Sequence, residues 1–349
     1  MTRPSSLADL ASIFDSQPIS GTRNRIINGN FEIWQRGTTS RTQGAAGVYG
    51  ADRWTRMGFQ DAAHERVSIS SPPTGLNSRF ALRASSSTTA EVAGGTRIDL
   101  SQKIENVNCY DLSNQTVTLS FWVRFSSATA TSSTGTAFGN WVSFFQFNTS
   151  TTDSATSSDT GNSGTTANTI TNGSLPTTWT KYTAIATVPS GTNNISIRFQ
   201  FQGLGSTASA GTVWYEISEV QLEAGPFATP FERRHFGQEL MLCQRYFERW
   251  DGSGSDIIGP VGQAFGSTSG ETTIIYVVEK RAAPVVTTSG SFAVWIGSGN
   301  ANHTSMAFVE LRTRQLTWQY GGASAGSVGQ AIQFYALGAP AALLISAEL

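Results

Sequence analysis

Trp122, Arg124, Arg198, Gln200 and Gln202 are the side chains of this sequence best suited to hold a sugar. A pyranose ring has an apolar C–H face that lies flat on an indole, and its hydroxyls want fork-like donors and amides. Trp122 and Arg124 alternate along TVTLSFWVRF (116–125), while Arg198, Gln200 and Gln202 alternate along NISIRFQF and the residue after it. With the two strands side by side, these five residues line one shallow concave groove. The competing reading covers Trp122 with the long segment 126–178 or with a neighbouring subunit.

Residue types suited to catalysis do not converge. His64, His235 and His303 are the three histidines, and none has a metal-ligand partner three or four positions away. The glycine clusters GSGSD and GGASAG lack the phosphate-cradling GxxxxGK[ST] pattern, and the GASAG spelling within the second (322–326) sits in a glycine-rich loop pattern rather than at a strand-to-helix elbow. Glu216 and Glu219 stand three apart in a strand, so alternation sends them to opposite faces rather than pairing them for glycoside hydrolysis. Glu216 instead shares a side with Trp214, which is a binding arrangement before it is a catalytic one. Cys109 and Cys243 are too far apart for paired zinc spacing and are expected as two buried thiols rather than a disulfide. No catalytic residue is assigned, and the chain is expected not to be an enzyme.

The elements that must position the groove follow from period two. Val117, Leu119, Phe121, Val123 and Phe125 share one face of their strand, and Ile195, Ile197, Phe199 and Phe201 share one face of theirs. One oily and one polar face per strand argues for an antiparallel sandwich. Further strands are predicted at 79–84, 140–147, 179–188 and 212–222, parted by the turn clusters SPPTG, SLPTT and PSGTNN. The Ser/Thr/Gly/Asn-rich remainder of 126–178 reads as one or two long surface loops. Residues 5–16 read as a short helix capped by Ser5 or Ser6, with Leu7, Leu10, Ala11 and Phe14 on one side. A second helix is predicted over 236–250, where Leu240, Cys243, Tyr246 and Phe247 recur at spacings of three and four. Strands follow at 271–281, 285–296, 304–314, 315–320 and in the final nineteen residues, 331–349. Ile274, Ile275, Tyr276, Val277 and Val278 read as a strand buried on both faces, either by symmetry mates or inside a monomeric sandwich.

The fold class is therefore mainly β, in two domains, as 349 residues suggest. The expected division is 1–22 (N-terminal helix and linker), 23–232 (first β domain), 233–252 (linking helix) and 253–349 (a second β-rich domain). Charged residues make up only 13%, about half the usual share, so hydroxyls carry the surface polarity. A net charge of −1 leaves no electrostatic footprint for nucleic acid. No apolar run reaches the ~18 residues of a membrane span, and MTRPSSLADLASIF lacks a secretory core, so synthesis in a cytoplasm without export is expected.

Three segments carry a family likeness: NRIINGNFEIWQRG (24–37), YGADRW (49–54) and VQLEAGPFATPFERRHFGQELMLCQRYF (220–247). Together they resemble bacteriophage virion appendage proteins, such as tail fibers, that carry a jelly-roll domain like a carbohydrate-binding module. The likeness spans roughly residues 24–247; beyond it only ALLISAEL resembles the closing strand of an appendage knob domain. It implies a jelly-roll sandwich with Trp34 and Trp54 packed inside, and a receptor-binding role at the virion surface. It also implies assembly in the host cytoplasm, a homotrimer, and attachment to other tail or head proteins through the N-terminus. The partner it implies is a host cell-surface glycan, held multivalently and without catalysis. Such jelly rolls often hold a structural calcium near the first and last strands, for which Asn28, Asn30 and Glu32 are the oxygen donors available here. Two alternatives stay open: a head decoration or tail-collar protein with no sugar site, and a polysaccharide depolymerase.

Overall fold

The computed structural model describes residues 23–41, 49–55, 62–86, 98–131, 139–149, 163–201, 213–254, 256–296, 300–301, 303–322 and 327–348. The expected helix at 5–16 and the site residue Gln202 lie outside the described residues. Two compact units divide between His235 and Phe236.

The first unit holds ten strands among its described residues: β1 (Thr39–Arg41), β2 (Ala62–Ser68), β3 (Phe80–Ser86), β4 (Asp99–Ile104), β5 (Thr116–Phe125), β6 (Trp141–Asn148), β7 (Ser163–Ile170), β8 (Thr180–Thr187), β9 (Asn194–Phe201) and β10 (Trp214–Ala224). They form a six-stranded sheet, β1-β2-β3-β10-β5-β8, and a four-stranded sheet, β4-β9-β6-β7. Counted from β3 as strand one, the orders are 1-8-3-6 and 2-7-4-5, the double Greek key of a jelly roll.

The period-two faces of β5 and β9 meet in the core. Val117, Leu119 and Phe121, like Ile195, Ile197 and Phe199, have no solvent exposure. Phe121 and Phe199 touch edge to face, with ring centroids 4.9 Å apart, and Trp141 stacks on Phe199 at 5.8 Å. Part of the polar segment expected as loop is a strand: β7 pairs with β6 from Trp141↔Ile170 to Phe147↔Ser163. An edge strand needs only its backbone to join a ladder, so a run such as SGTTANTI can pair without an apolar face.

The motif residues act on β10. Between Ser218 and Gln221 this strand carries one residue more than β5 opposite it, a bulge that puts Glu219 at φ 52°. The extra residue ends strict alternation. Glu219 accepts from the Asn77 amide (2.7 Å) and the Ser78 hydroxyl (3.1 Å), while Val220 returns to the core. The N-terminal loop seals the bulge. The Gly29 carbonyl accepts from Val220 N–H, and a Cβ on Gly29 would stand 2.1 Å from the Val220 carbonyl oxygen. Asn24 Oδ1 accepts from the Ile26 and Leu222 amides, and Trp54, fully buried, donates its indole N–H to the Asn28 carbonyl. Residues 24–34 and 51–54 thus clasp the N-terminal loop onto the last strand, β10.

The second unit has a helix, α1 (Phe236–Gln244), and ten strands among its described residues: β11 (Phe247–Gly254), β12 (Gly262–Ala264), β13 (Ser269–Ile275), β14 (Val285–Ser289), β15 (Phe292–Trp295), β16 (Asn300–Ala301), β17 (His303–Leu311), β18 (Gln315–Gly322), β19 (Ala331–Ala336) and β20 (Gly338–Ser346). They make a three-stranded sheet, β11-β20-β14, and a seven-stranded one, β16-β15-β19-β12-β13-β18-β17. The predicted helix over 236–250 stops six residues early, because Phe247 already pairs with Ser346 as the first rung of β11. Tyr246 and Phe247 are buried, but by strand pairing rather than on a helical stripe. Helix and β11 both fall on the second unit's side of the division between His235 and Phe236. Of the two covers expected for 274–278, a monomeric sandwich is not the one, since within a single copy only one face of the segment is buried. Ile274 and Tyr276 are buried, whereas Ile275 is 71% and Val277 67% exposed.

Candidate saccharide-binding face

The structure separates the four described residues of the five expected to share a groove. Trp122 and Arg124 lie on β5 of the six-stranded sheet; Arg198 and Gln200 lie on β9 of the four-stranded sheet. Since the inner faces of β5 and β9 meet at Phe121 and Phe199, their polar faces look away from each other across the sandwich. Strand pattern alone shows which residues share a face of a strand, not which sheet the strand joins.

On the four-stranded side, Arg198 reaches Asp99 at 3.0 Å, and that carboxylate is 1% exposed. Gln200 is buried, and its Oε1 has no partner among the described residues. Phe144 and Val142 of β6 stand opposite Arg198 and Gln200.

On the six-stranded side, Trp122 is largely packing. It lies against Leu76, Ala81 and Trp179 in a small second core, with Val67 and Ile69 beside it. The cover comes from the turn between β2 and β3, where Gly75 (φ 95°) comes close to the indole. Lower on this face, Gln221 and Glu223 are sealed by the segment after β10: the Glu223 carboxylate accepts from both the amide and the hydroxyl of Thr229.

Arg124 stays accessible, and register supplies its companions. Glu65, Arg83, Glu216 and Arg124 stand side by side across β2, β3, β10 and β5. Glu216 is 1% exposed and receives two guanidiniums: Arg83 Nη2 at 2.5 Å and Arg124 Nε at 2.6 Å. Arg83 stacks over the ring of Trp214 at 4.5 Å, and Arg124 lies 5.2 Å from the Trp179 ring and 5.8 Å from that of Trp214. The arginines are 31% and 26% exposed, and Glu65 approaches Arg83 only to 3.9 Å. Arg124 commits Nε alone; its two Nη groups have no acceptor among the described residues. Two cations thus share one buried anion, and planar donors are held rigid between indoles. Sequence reasoning placed Glu216 beside Trp214 but missed Arg83 and Trp179. The signal for them was a cross-strand match of Trp214-x-Glu216 with Trp122-x-Arg124.

Two of the three oxygen donors expected for calcium, Asn28 and Glu32, have partners within the chain. The Asn28 side chain accepts from the Ile33 amide and donates to the Ile33 and Asp52 carbonyls. Glu32 faces Arg79 at 3.3 Å and Arg233 at 3.6 Å. No group of three or more His, Cys, Asp or Glu that could hold a metal occurs among the described residues. His64 is buried with Nε2 3.1 Å from the Asp99 carbonyl, and Cys109 and Cys243 are buried in different units. No helix among the described residues is long and apolar enough to cross a membrane.

No protein-family model and no curated protein matches the chain. Among solved structures, it is similar to the enzymatically active domain of tailspike protein 4 of bacteriophage CBA120 (14% identity, TM-score 0.32), over 58% of this chain and 22% of that one. It is also similar to a family 16 carbohydrate-binding module (14%, TM-score 0.25; 46% and 84% of the two chains). A third is the CBM22-1–CBM22-2 tandem domain of Paenibacillus barcinonensis Xyn10C (11%, TM-score 0.29; 94% and 99%). The chain spans about a fifth of the length of the tailspike it matches. These are loose likenesses, and the functional reading comes from the residues.

Proposed function

We propose that this protein is a non-catalytic glycan-binding component of a phage particle surface, a tail fiber in the first instance. The supporting observation is the Arg83–Glu216–Arg124 clamp beside Trp214. Its unspent guanidinium donors face solvent, and its one buried carboxylate is tied to two cations rather than aimed at a scissile bond. A sugar hydroxyl or acidic substituent meets the Arg124 Nη groups, and the C–H face of the ring lies on Trp214. The row is balanced by Glu65 at the Arg83 end, so its positive side is the Arg124 end, which favours an acidic substituent there. A single such contact is weak, and copies acting together supply the avidity. Exposed apolar side chains of the second unit, Val277 and Val285 at 67% and Val328 at 71%, support association of copies, with a homotrimer as the proposed state.

The test is binding of the full chain to an acidic oligosaccharide such as trigalacturonate. Arg124→Ala removes a charge-assisted contact worth about 1.5–3 kcal/mol, so affinity falls roughly tenfold or more. Raising salt weakens the wild type and hardly affects the variant. Equal binding by wild type and a folded variant refutes the clamp. Release of reducing ends from host polysaccharide refutes the non-catalytic reading, and density on the capsid lattice instead of the tail refutes the fiber.

A further inference from the structure

We propose a second saccharide site, in the second unit: a groove lined by Trp250, Val261, Gln263, Glu271, Thr273 and Ile275 that takes a neutral or amino-bearing sugar. The groove measures about 670 Å³, within the range of small-molecule sites. Its residue types are those a pyranose needs: an indole for the C–H face, and a carboxylate and an amide for the hydroxyls.

Each part is fixed by its surroundings. Trp250 donates its indole N–H to Glu248 Oε1 at 2.7 Å, and Glu248 is in turn held by Lys280 Nζ at 2.5 Å, with that ion pair sealed from solvent. The ring edge is therefore committed, and its face is what remains for a ligand. On the sheet, Gln263, Glu271 and Gln319 stand side by side across β12, β13 and β18. Gln319 Nε2 donates to Glu271 Oε2 at 2.7 Å, which orients the carboxylate and leaves Oε1 for a hydroxyl. The exposed Gln263 amide has no hydrogen-bond partner among the described residues. Gly262 lets β12 lie close against β13, since a Cβ there would stand 2.1 Å from the Glu271 carbonyl oxygen. Val261 and Ile275, 59% and 71% exposed, form apolar walls.

Other occupants fit less well. Both edges of β12 and of β13 are already paired, so a peptide cannot add as a strand. A purely apolar ligand would strip water from Glu271 and Gln263 without replacing it. An acidic sugar would face the Glu271 carboxylate. This site does not depend on the clamp of the first unit.

The experiment is ligand-observed NMR on the full chain at millimolar methyl glycosides of glucose, galactose, mannose, rhamnose, N-acetylglucosamine and glucosamine. At least one is expected to bind. Glu271→Ala and Gln263→Ala, both at the surface, should each weaken it by about fivefold, the effect of one lost hydrogen bond. Arg124→Ala should leave it unchanged, which separates this site from the clamp. The proposal is overturned if no member of the panel binds, or if binding survives both surface substitutions in folded protein.

Discussion

The two units use a cation–carboxylate pair beside a tryptophan in opposite ways. In the first, Glu216 is buried, while Arg83 and Arg124 are 31% and 26% exposed and keep donors in reserve. In the second, Lys280 and Glu248 are 0% and 1% exposed, and the pair is spent on holding Trp250 and α1, whose Gln244 carbonyl also accepts from Lys280. An open pair presents charge to a ligand. A sealed pair positions something else and presents none. The difference follows from side-chain geometry. A planar guanidinium can satisfy a buried carboxylate through one edge and still reach solvent with the other, whereas an ammonium is a single point.

The sealed pair should therefore be the more sensitive to losing one member. Lys280→Ala leaves an uncompensated carboxylate in a dry site and is expected to cost about 3–5 kcal/mol by denaturant unfolding. Burial already lowers the Lys280 pKa, with Glu248 pulling the other way, so the ion pair is strained by desolvation. Replacing both members, Lys280→Met with Glu248→Gln, should recover much of the loss. If the single and double variants are equally unstable, the pair is not the reason the site holds.

The open pair should be more forgiving. Glu216→Ala releases two arginines that can turn to water, so the expected cost is about 1–3 kcal/mol, below that of Lys280→Ala. A larger loss than Lys280→Ala would reverse the contrast drawn between the units.

What the sequence disclosed of this contrast was uneven. The oily faces of β5 and β9 were legible, because burial of Leu119 or Ile197 follows from alternation alone. The jelly roll itself came from the likeness carried by 24–37, 49–54 and 220–247, and the first of these segments turns out to clasp the N-terminal loop onto the last strand. The site was only half legible. Arg124 and Glu216 were marked as separate features, but which strand lies beside which is a non-local matter, and β5 and β9 went to different sheets. The bulge at Glu219 was invisible, since one inserted residue leaves no compositional trace. The strand β7 was missed because edge pairing asks nothing of side chains.

A smaller effect is expected at the aromatic heart of the first unit. Tyr215 is fully buried, donates to the Phe199 carbonyl at 3.2 Å, and has its pKa raised well above the ordinary 10.0, first by burial and then by Asp99. Its neutral form is favoured in the fold. Above the ordinary value the unfolded chain loses this proton while the folded chain keeps it, so stability falls as pH rises. Tyr215→Phe should cost about 1 kcal/mol near neutrality and flatten the alkaline limb. Tyr182, Tyr276 and Tyr320, also shifted upward by burial, keep that limb from vanishing. A limb as steep as wild type would mean Tyr215 does not titrate with unfolding.

The smallest effect on stability, and the sharpest on assembly, belongs to Val277. Its side chain is 67% exposed beside buried Tyr276, so within one copy it gains little from its neighbours. Val277→Ser should change unfolding free energy by no more than about 0.5 kcal/mol. If copies meet through the exposed apolar side chains of the second unit, a hydroxyl there is buried without a partner, and the assembly loosens. Sedimentation should then show a lower mass or a higher dissociation constant for a protein whose fold is unchanged. Wild type that sediments as a monomer, or a variant of unaltered mass, would remove Val277 from any interface. The exposed apolar residues of the second unit would then have to be explained by a different partner.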